Sequence, residues 1–420
     1  MSEPRRRPRR APPSRRQFLR LAGTAAVVPA TSGLLAACVR AAGSRSVSGA
    51  LTLAAPDHPV LWPISAGNDP IADNLTPERN ATLRLYNYAD YIAPAAIKAF
   101  EKKYARYNVN VTVSTFNDTD EAITKIRTGA VPYDIYFPSY DQISRLVAAE
   151  LVRPLNHSYL TNIDKVWATF QNPWYDQRWR YTVPYTVYTT GIGWRTDKVS
   201  TDIASLANPY DALWDAKYRG ETAVIDDWHT AMAMCLLRAG KNDINTASSA
   251  DLQVISQQLS ELQRTSQPKV TITMYNDLPA GQLGQCQMWS GDVINAQYYL
   301  PKHTPVSLLR YWFPPDGHGM VDNDLMVILR DGKNPVLAHL FVQFMLDTKN
   351  ALTNFSFVGY QPPQRSLVPD TVVARGFVPK NLSTAVVQEE YFDVGYRLLE
   401  LTVDNDAAWH RIWLAFKAGG

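Results

Sequence analysis

Apolar and polar positions follow two periods along this chain, and the switch between them marks out its elements. LRLYN (83–87) and VNVTVSTF (109–116) alternate with the period of two expected of strands. Between them, PAAIKAFEKKYARY (94–107) spaces its apolar residues as a helix does, with Pro94 suited to the first turn. DTDEAITKIRTG (118–129) predicts a short helix with acids at its start and Gly129 at its end. YDIYFPS (133–139) predicts a strand and YDQISRLVAAE (140–150) a helix. The order β-α-β-α-β implies a parallel sheet with right-handed crossovers.

A second region repeats the style. YTTGIGWR (188–195), ETAVID (221–226) and QCQMWSG (285–291) predict strands, and residues 229–239 and 249–265 predict helices. LMVIL (325–329) is the unbroken apolar run of a buried parallel strand, and Asp322 and Asp324 stand against its start. A carboxylate at the mouth of a buried strand is costly unless a positive group meets it, either the protein's own or a ligand's. NPVLAHLFVQFMLD (334–347) predicts a helix. So does AAWHRIWLAFKAG (407–419), whose stripe of Trp409, Ile412, Trp413 and Phe416 reads as core packing.

Two α/β lobes follow, and open α/β sheets bind ligands beyond the carboxyl ends of their strands. At those ends stand Tyr88, Asp90 and Tyr91; Ser139, Tyr140 and Asp141; Asp226 and Asp227; and Ser290, Gly291 and Asp292. Aromatic rings beside carboxylates suit an organic cation, because acids neutralise ammonium groups and ring faces add ~0.5–2 kcal/mol each. Taken singly, an Asp after a strand is more often a helix cap.

The 420 residues fit two to three domains or one large two-lobed unit, and 46% apolar with 19% charged residues is ordinary for a globular protein with a large core. The formal net charge of +3 is misleading. Residues 1–37 hold eight arginines and one glutamate, and without them 34 basic residues stand against 38 acidic, a net of −4. That balance argues against a nucleic-acid partner. The N-terminus explains the arginines: SRRQFLR (14–20) has the form of a twin-arginine export signal, followed by an Ala-rich stretch too short to span a membrane. Leu35-Ala36-Ala37-Cys38 resembles a lipobox, in which Cys38 would carry a lipid anchor. Residues 1–37 are thus expected to be a signal peptide and 38–80 a lipidated tether ending in an ordered extended arm. Cys235 and Cys286 sit in apolar patterns and read as small buried hydrophobes. No GxSxG, HExxH, P-loop or GxGxxG pattern occurs, and the seven histidines are scattered, so a catalyst, a cofactor and a metal are not expected.

Several motifs resemble those of the spermidine/putrescine-binding proteins of bacterial ABC importers: LYNYADYI (85–92), YDIYFPSY (133–140), VPYTVYTTGIGW (183–194), YRGETAVIDD (218–227), MWSGD (288–292), and the segment from Asp324 through KNPVLAHLFVQFML (333–346). The resemblance implies a two-lobed periplasmic-binding-protein fold of type II topology, with a ligand cleft between lobe 1 (81–188 and 324–374) and lobe 2 (189–323 and 375–420). It implies hinges near 188–190 and 322–324. It implies a monomer that captures a polyamine and docks on a membrane permease. By that pattern Tyr88, Asp90 and Tyr91 face the ligand, Ser139 supplies a hydroxyl with Tyr140 beside it, and Asp227 and Asp292 accept amines. Trp289 is the stacking platform and Asp324 the amine acceptor that opens the last strand. Where the family has an aromatic, this chain has Asp322, either an extra ammonium partner or an acid turned to solvent. Thr230 replaces a frequent glutamate. Two other readings stay open: a binding protein for another solute (a different organic cation, a sugar or a chelate), and a non-transport sensor lipoprotein.

Overall fold

The computed structural model describes residues 52–116 and 119–419. The expected signal peptide, Cys38 and the tether lie outside the described residues.

Lobe 1 begins with β1 (Thr82–Tyr88), α1 (Pro94–Lys103), β2 (Asn110–Phe116), α2 (Thr119–Arg127), β3 (Ile135–Tyr136) and α3 (Ile143–Ala148). β1 pairs in parallel with both β2 and β3, as the alternating pattern requires. The strand β4 (Thr182–Arg195) then leads into lobe 2, with β5 (Thr222–Ile225), α4 (Trp228–Arg238), α5 (Ser249–Thr265), β6 (Lys269–Thr271), β7 (Gln285–Trp289), α6 (Ser290–Ala296) and β8 (Leu309–Trp312). β9 (Met320–Ile328) returns, followed by α7 (Pro335–Met345), α8 (Thr348–Val358), α9 (Pro369–Ala374) and α10 (Val403–Lys417). One sheet runs through both lobes in the order β2-β1-β3-β9-β4-β7-β5-β6, with β8 also on β4.

Three expectations change. β4 starts six residues earlier than the pattern indicated, because a register shift between Pro184 and Thr186 absorbs the proline inside the strand. β9 is antiparallel to both β3 and β4, not parallel: its apolar run does mark burial on both faces, but burial says nothing of strand direction. It also begins at Met320, so Asp322 and Asp324 lie within the strand rather than at its mouth.

Apolar clusters around Leu83, Phe100 and Phe341 and around Tyr86, Tyr136 and Leu146 fill lobe 1. Clusters around Trp194, Met232 and Trp409 and around Met288, Phe313 and Phe355 fill lobe 2. Leu352 and Phe355 of α8 and Val372 of α9 pack in the Met288 cluster. Trp409, Trp413 and Phe416 of α10 are core, with α10 packed on α4 and α5. The arm lies on lobe 1: Val60 N–H donates to the Trp174 carbonyl, Trp62 Nε1 to that of Tyr175, and Asn68 Nδ2 to that of Val152. Cys235 and Cys286 are both free and buried.

The site forms where β4 and β9 cross between the lobes. Thr186 pairs with Asp324 and Tyr188 with Asp322, so two acids of β9 stand beside the residues at which β4 leaves lobe 1.

Candidate functional site

Asp324 is the centre of the arrangement. It is 5% exposed and receives three hydroxyls: Tyr91 donates to Oδ2 (2.7 Å), Ser139 to Oδ1 (2.9 Å) and Tyr188 to Oδ1 (3.3 Å). Tyr188 donates from within β4, and the other two donors arrive from strand ends. Tyr91 follows β1 after a turn in which Asp90 takes a left-handed φ of 55°, a conformation Asp tolerates. Ser139 follows β3 and forms a bridge with Asp324 itself. Thr186 Oγ1, 2.6 Å from the Tyr91 hydroxyl, completes the cradle. Among the described residues no lysine, arginine or histidine pairs with Asp324. Burial pushes its carboxyl up to about 6 while the hydroxyls pull the other way.

Lobe 2 adds a second acid. Asp292, one turn into α6 and 6% exposed, accepts from Tyr360 at Oδ1 (2.9 Å), and its Oδ2 is buried with no hydrogen-bond partner. Burial raises it to about 7. Gly291 explains how Tyr360 reaches it: a Cβ there would stand 2.3 Å from the ring. Gly359, with φ of 80° at the end of α8, turns the chain so that Tyr360 enters the site. Rings then link the lobes. Tyr360 is edge-on to Tyr91 (4.9 Å) and Tyr188 (5.6 Å), Tyr188 to Trp289 (6.4 Å), and Tyr88 to Tyr91 (5.7 Å).

Asp322 has a different fate, although it shares a strand face with Asp324. It is 3% exposed, so it is not turned to solvent. Its Oδ1 lies 2.7 Å from the Tyr140 hydroxyl and 4.0 Å from Arg397 Nε, and the Leu398 amide donates to it. Burial pushes it up to about 6 against the pull of Arg397. The positive group at Asp322 is therefore the protein's own. Tyr140 serves this pair rather than Asp324.

The remaining candidates divide. Asp227 caps α4 through the Thr230 amide (2.8 Å), and its charge still reaches Asp141, Asp322 and Tyr88. Asp90 is exposed, and its charge reaches Tyr275. Three further residues join the site: Asp141, already named among the strand-end acids, and Tyr188 and Tyr360, which had no assigned role. Asp141 has a buried Oδ1 with no partner and a carboxyl held well above the usual range, by burial first and then by Asp227, Glu400 and Asp322. Tyr188 lay inside a quoted motif but without a role, and Tyr360 has no local signal because it arrives from α8. His229 is stacked on Trp228 (4.7 Å) and pushed down to about 3 by burial, a neutral core histidine.

Chemically, the site is a set of desolvated carboxylates held by neutral hydroxyls and walled by rings. It can accept cations; among the described residues no cluster could hold a metal ion. The family model described as bacterial extracellular solute-binding protein matches residues 95–376. The chain belongs to that family. Membership fits a binding protein rather than a catalyst, and it fits the two-lobed fold. This solute-binding protein is 25% identical over 292 residues to the putrescine/cadaverine-binding protein of Pseudomonas aeruginosa, covering 68% of this chain and 80% of that protein. It is 25% identical over 333 residues to the spermidine/putrescine-binding periplasmic protein of Salmonella typhimurium, covering 74% and 91%. In fold it matches the spermidine/putrescine ABC transporter substrate-binding protein PotD of Streptococcus pneumoniae, with a TM-score of 0.65, 23% identity, and coverage of 80% of this chain and 99% of that one.

Proposed function

We propose that this solute-binding protein captures a polyamine of the putrescine/spermidine type outside the cell and delivers it to an ABC importer. The observation that carries the reading is Asp324, a desolvated carboxylate at the crossing of the lobes held by three hydroxyls and, among the described residues, by no cation of the protein's own. A buried acid is stabilised most by a cation that comes with its own hydrogen bonds, and a protonated amine supplies both. A sugar would leave the charge uncompensated. Asp292 Oδ2 and Asp141 Oδ1 are further acceptors for a second ammonium group. Tyr88, Tyr91, Tyr188 and Trp289 offer rings to the methylene chain and to cation–π attraction. The printed names of the relatives, putrescine/cadaverine-binding and spermidine/putrescine-binding, support the same solute class.

Capture works by closure of the two lobes about β4 and β9, near residues 188–190 and 322–324. The closed monomer docks on a membrane permease. Export through the twin-arginine signal and attachment of lipid at Cys38 would hold it at the outer face of the membrane; the motif at residues 35–38 supports this. Calorimetric titration with putrescine, spermidine, spermine and two sugars tests the solute class. Submicromolar heat with an amine, weakened by Trp289→Ala, is expected; heat with a sugar and none with any amine would overturn the reading.

A further inference from the structure

The sequence left Asp322 as an extra ammonium partner for the solute or a rim acid, and the structure supplies a third answer with consequences for specificity. Arg397 belongs by its backbone to lobe 2: its carbonyl accepts from Asn245 Nδ2 (2.9 Å), and Tyr396 and Leu398 on either side pack against the Trp409 cluster. Its side chain, 8% exposed, runs to the boundary between the lobes, where it meets Tyr140 and Trp174 of lobe 1. There the guanidinium carbon lies 4.2 Å from the centre of the Tyr140 ring, 4.8 Å from Phe392 and 5.9 Å from Trp174. Nη2 donates to Asn323 Oδ1 (2.6 Å), and Nε is buried without a hydrogen-bond partner, 4.0 Å from Asp322. Tyr175 stacks on Tyr140 (5.4 Å) and its hydroxyl accepts from Asn323, so the cage is braced from behind. Rings on three sides with a carboxylate and an amide oxygen at the polar end form a site for an organic cation. Tyr188 pairs with Asp322 across the sheet and its hydroxyl donates to Asp324 Oδ1 (3.3 Å), so this cage adjoins the cleft.

We propose that Arg397 is a built-in occupant of a cation subsite: it fills the Tyr140–Trp174–Phe392 cage and neutralises Asp322, closing that end of the cleft to the solute and limiting how many cations the solute can bring. The inference rests on reading the cleft as a polyamine site. It makes Arg397 a specificity-determining residue and its removal a gain of function: Arg397→Ala frees both a ring cage and a carboxylate next to a site that already takes amines.

The test has two arms on the full-length chain. In the first, N-ethylguanidinium, which reproduces the lost group, is added to wild type and to Arg397→Ala and thermal midpoints are compared. Stabilisation of the variant alone is expected, and none in either overturns the proposal. In the second, calorimetry gives the affinity for spermine relative to putrescine. The ratio should rise at least tenfold in Arg397→Ala and stay at the wild-type value in Arg397→Lys, which keeps the charge. An unchanged ratio in Arg397→Ala overturns the proposal. Should the alanine variant fail to fold, Arg397→Gln, which keeps a polar stem and removes the charge, must show the same rise, and its absence counts in the same way. If wild type binds no amine at all, the reading of the cleft fails, and the ethylguanidinium arm alone decides whether the cage takes a cation.

Discussion

Replacing Asp324 with asparagine removes a charge and almost nothing else. The amide oxygen can still accept from Tyr91 or Ser139, and the hydroxyls can turn to accept from the new NH2, since a hydroxyl both donates and accepts. Two quantities should separate. For binding, truncating one member of a desolvated, hydrogen-bonded charge pair costs ~2–5 kcal/mol. Because asparagine keeps an acceptor and the rings remain, the lower part of that range applies, ~2–3 kcal/mol, or roughly 30- to 150-fold in Kd. For folding, Asp324 is an uncompensated buried carboxylate in the free protein, raised to about 6 by burial. Removing it relieves a cost and leaves the ligand-free midpoint unchanged or higher at pH 8. Isothermal titration with putrescine and a thermal melt on the same preparation check both. Wild-type affinity in Asp324→Asn would refute the role of the charge. A fall in the ligand-free midpoint alongside the affinity would make Asp324 a structural acid instead.

Other expectations follow from the same geometry. Burial pushes the two acids that face the solute upward, Asp324 to about 6 and Asp292 to about 7. An ammonium ligand favours the ionised forms, so affinity should be level above pH ~7.5 and fall below pH ~7 by up to about tenfold per unit for each proton displaced. Titrations across that range test this, and a flat profile refutes it. Folding has the opposite sign. A carboxyl whose folded pKa exceeds its unfolded one adds stability that is fully present below pH ~4 and lost as pH rises through 6 to 7. Saturating putrescine should therefore raise the melting midpoint more at pH 8 than at pH 5.5. Trp289→Ala removes a ring face worth ~0.5–2 kcal/mol, a two- to thirtyfold loss of affinity with little change in the melt, since the side chain is only half-buried. Gly291→Ala drives a Cβ into the Tyr360 ring, so it should lower both the melting midpoint and amine affinity, whereas Gly67→Ala, at an open turn with φ of 73°, should lower only the first. The Cys235 and Cys286 thiols, both buried, should react with a thiol reagent only on unfolding.

Period and punctuation determined a great deal on their own. The alternation of LRLYN and VNVTVSTF located β1 and β2, the spacing of SADLQVISQQLSELQRT gave α5 its full length, and Trp409, Trp413 and Phe416 declared themselves as core. These features are local: a side chain's face follows from its place in a helix or strand, and the nearest residues carry the signal. Chain order also put Tyr91 and Ser139 at strand ends, and the resemblance to the polyamine-binding family is what grouped them with Asp324 before any contact was known. What the sequence left undecided was pairing. LMVIL announces burial but not direction, and β9 proved antiparallel because it returns between β3 and β4. Tyr360 reaches Asp292 across 68 positions and Arg397 reaches Asn323 across 74, distances over which no local pattern carries information. The contrast between Asp322 and Asp324 is the sharpest case. They are the same residue type on the same face of the same strand, and only the tertiary structure gives one an arginine and the other three hydroxyls, because a charge is defined by the groups that fold against it.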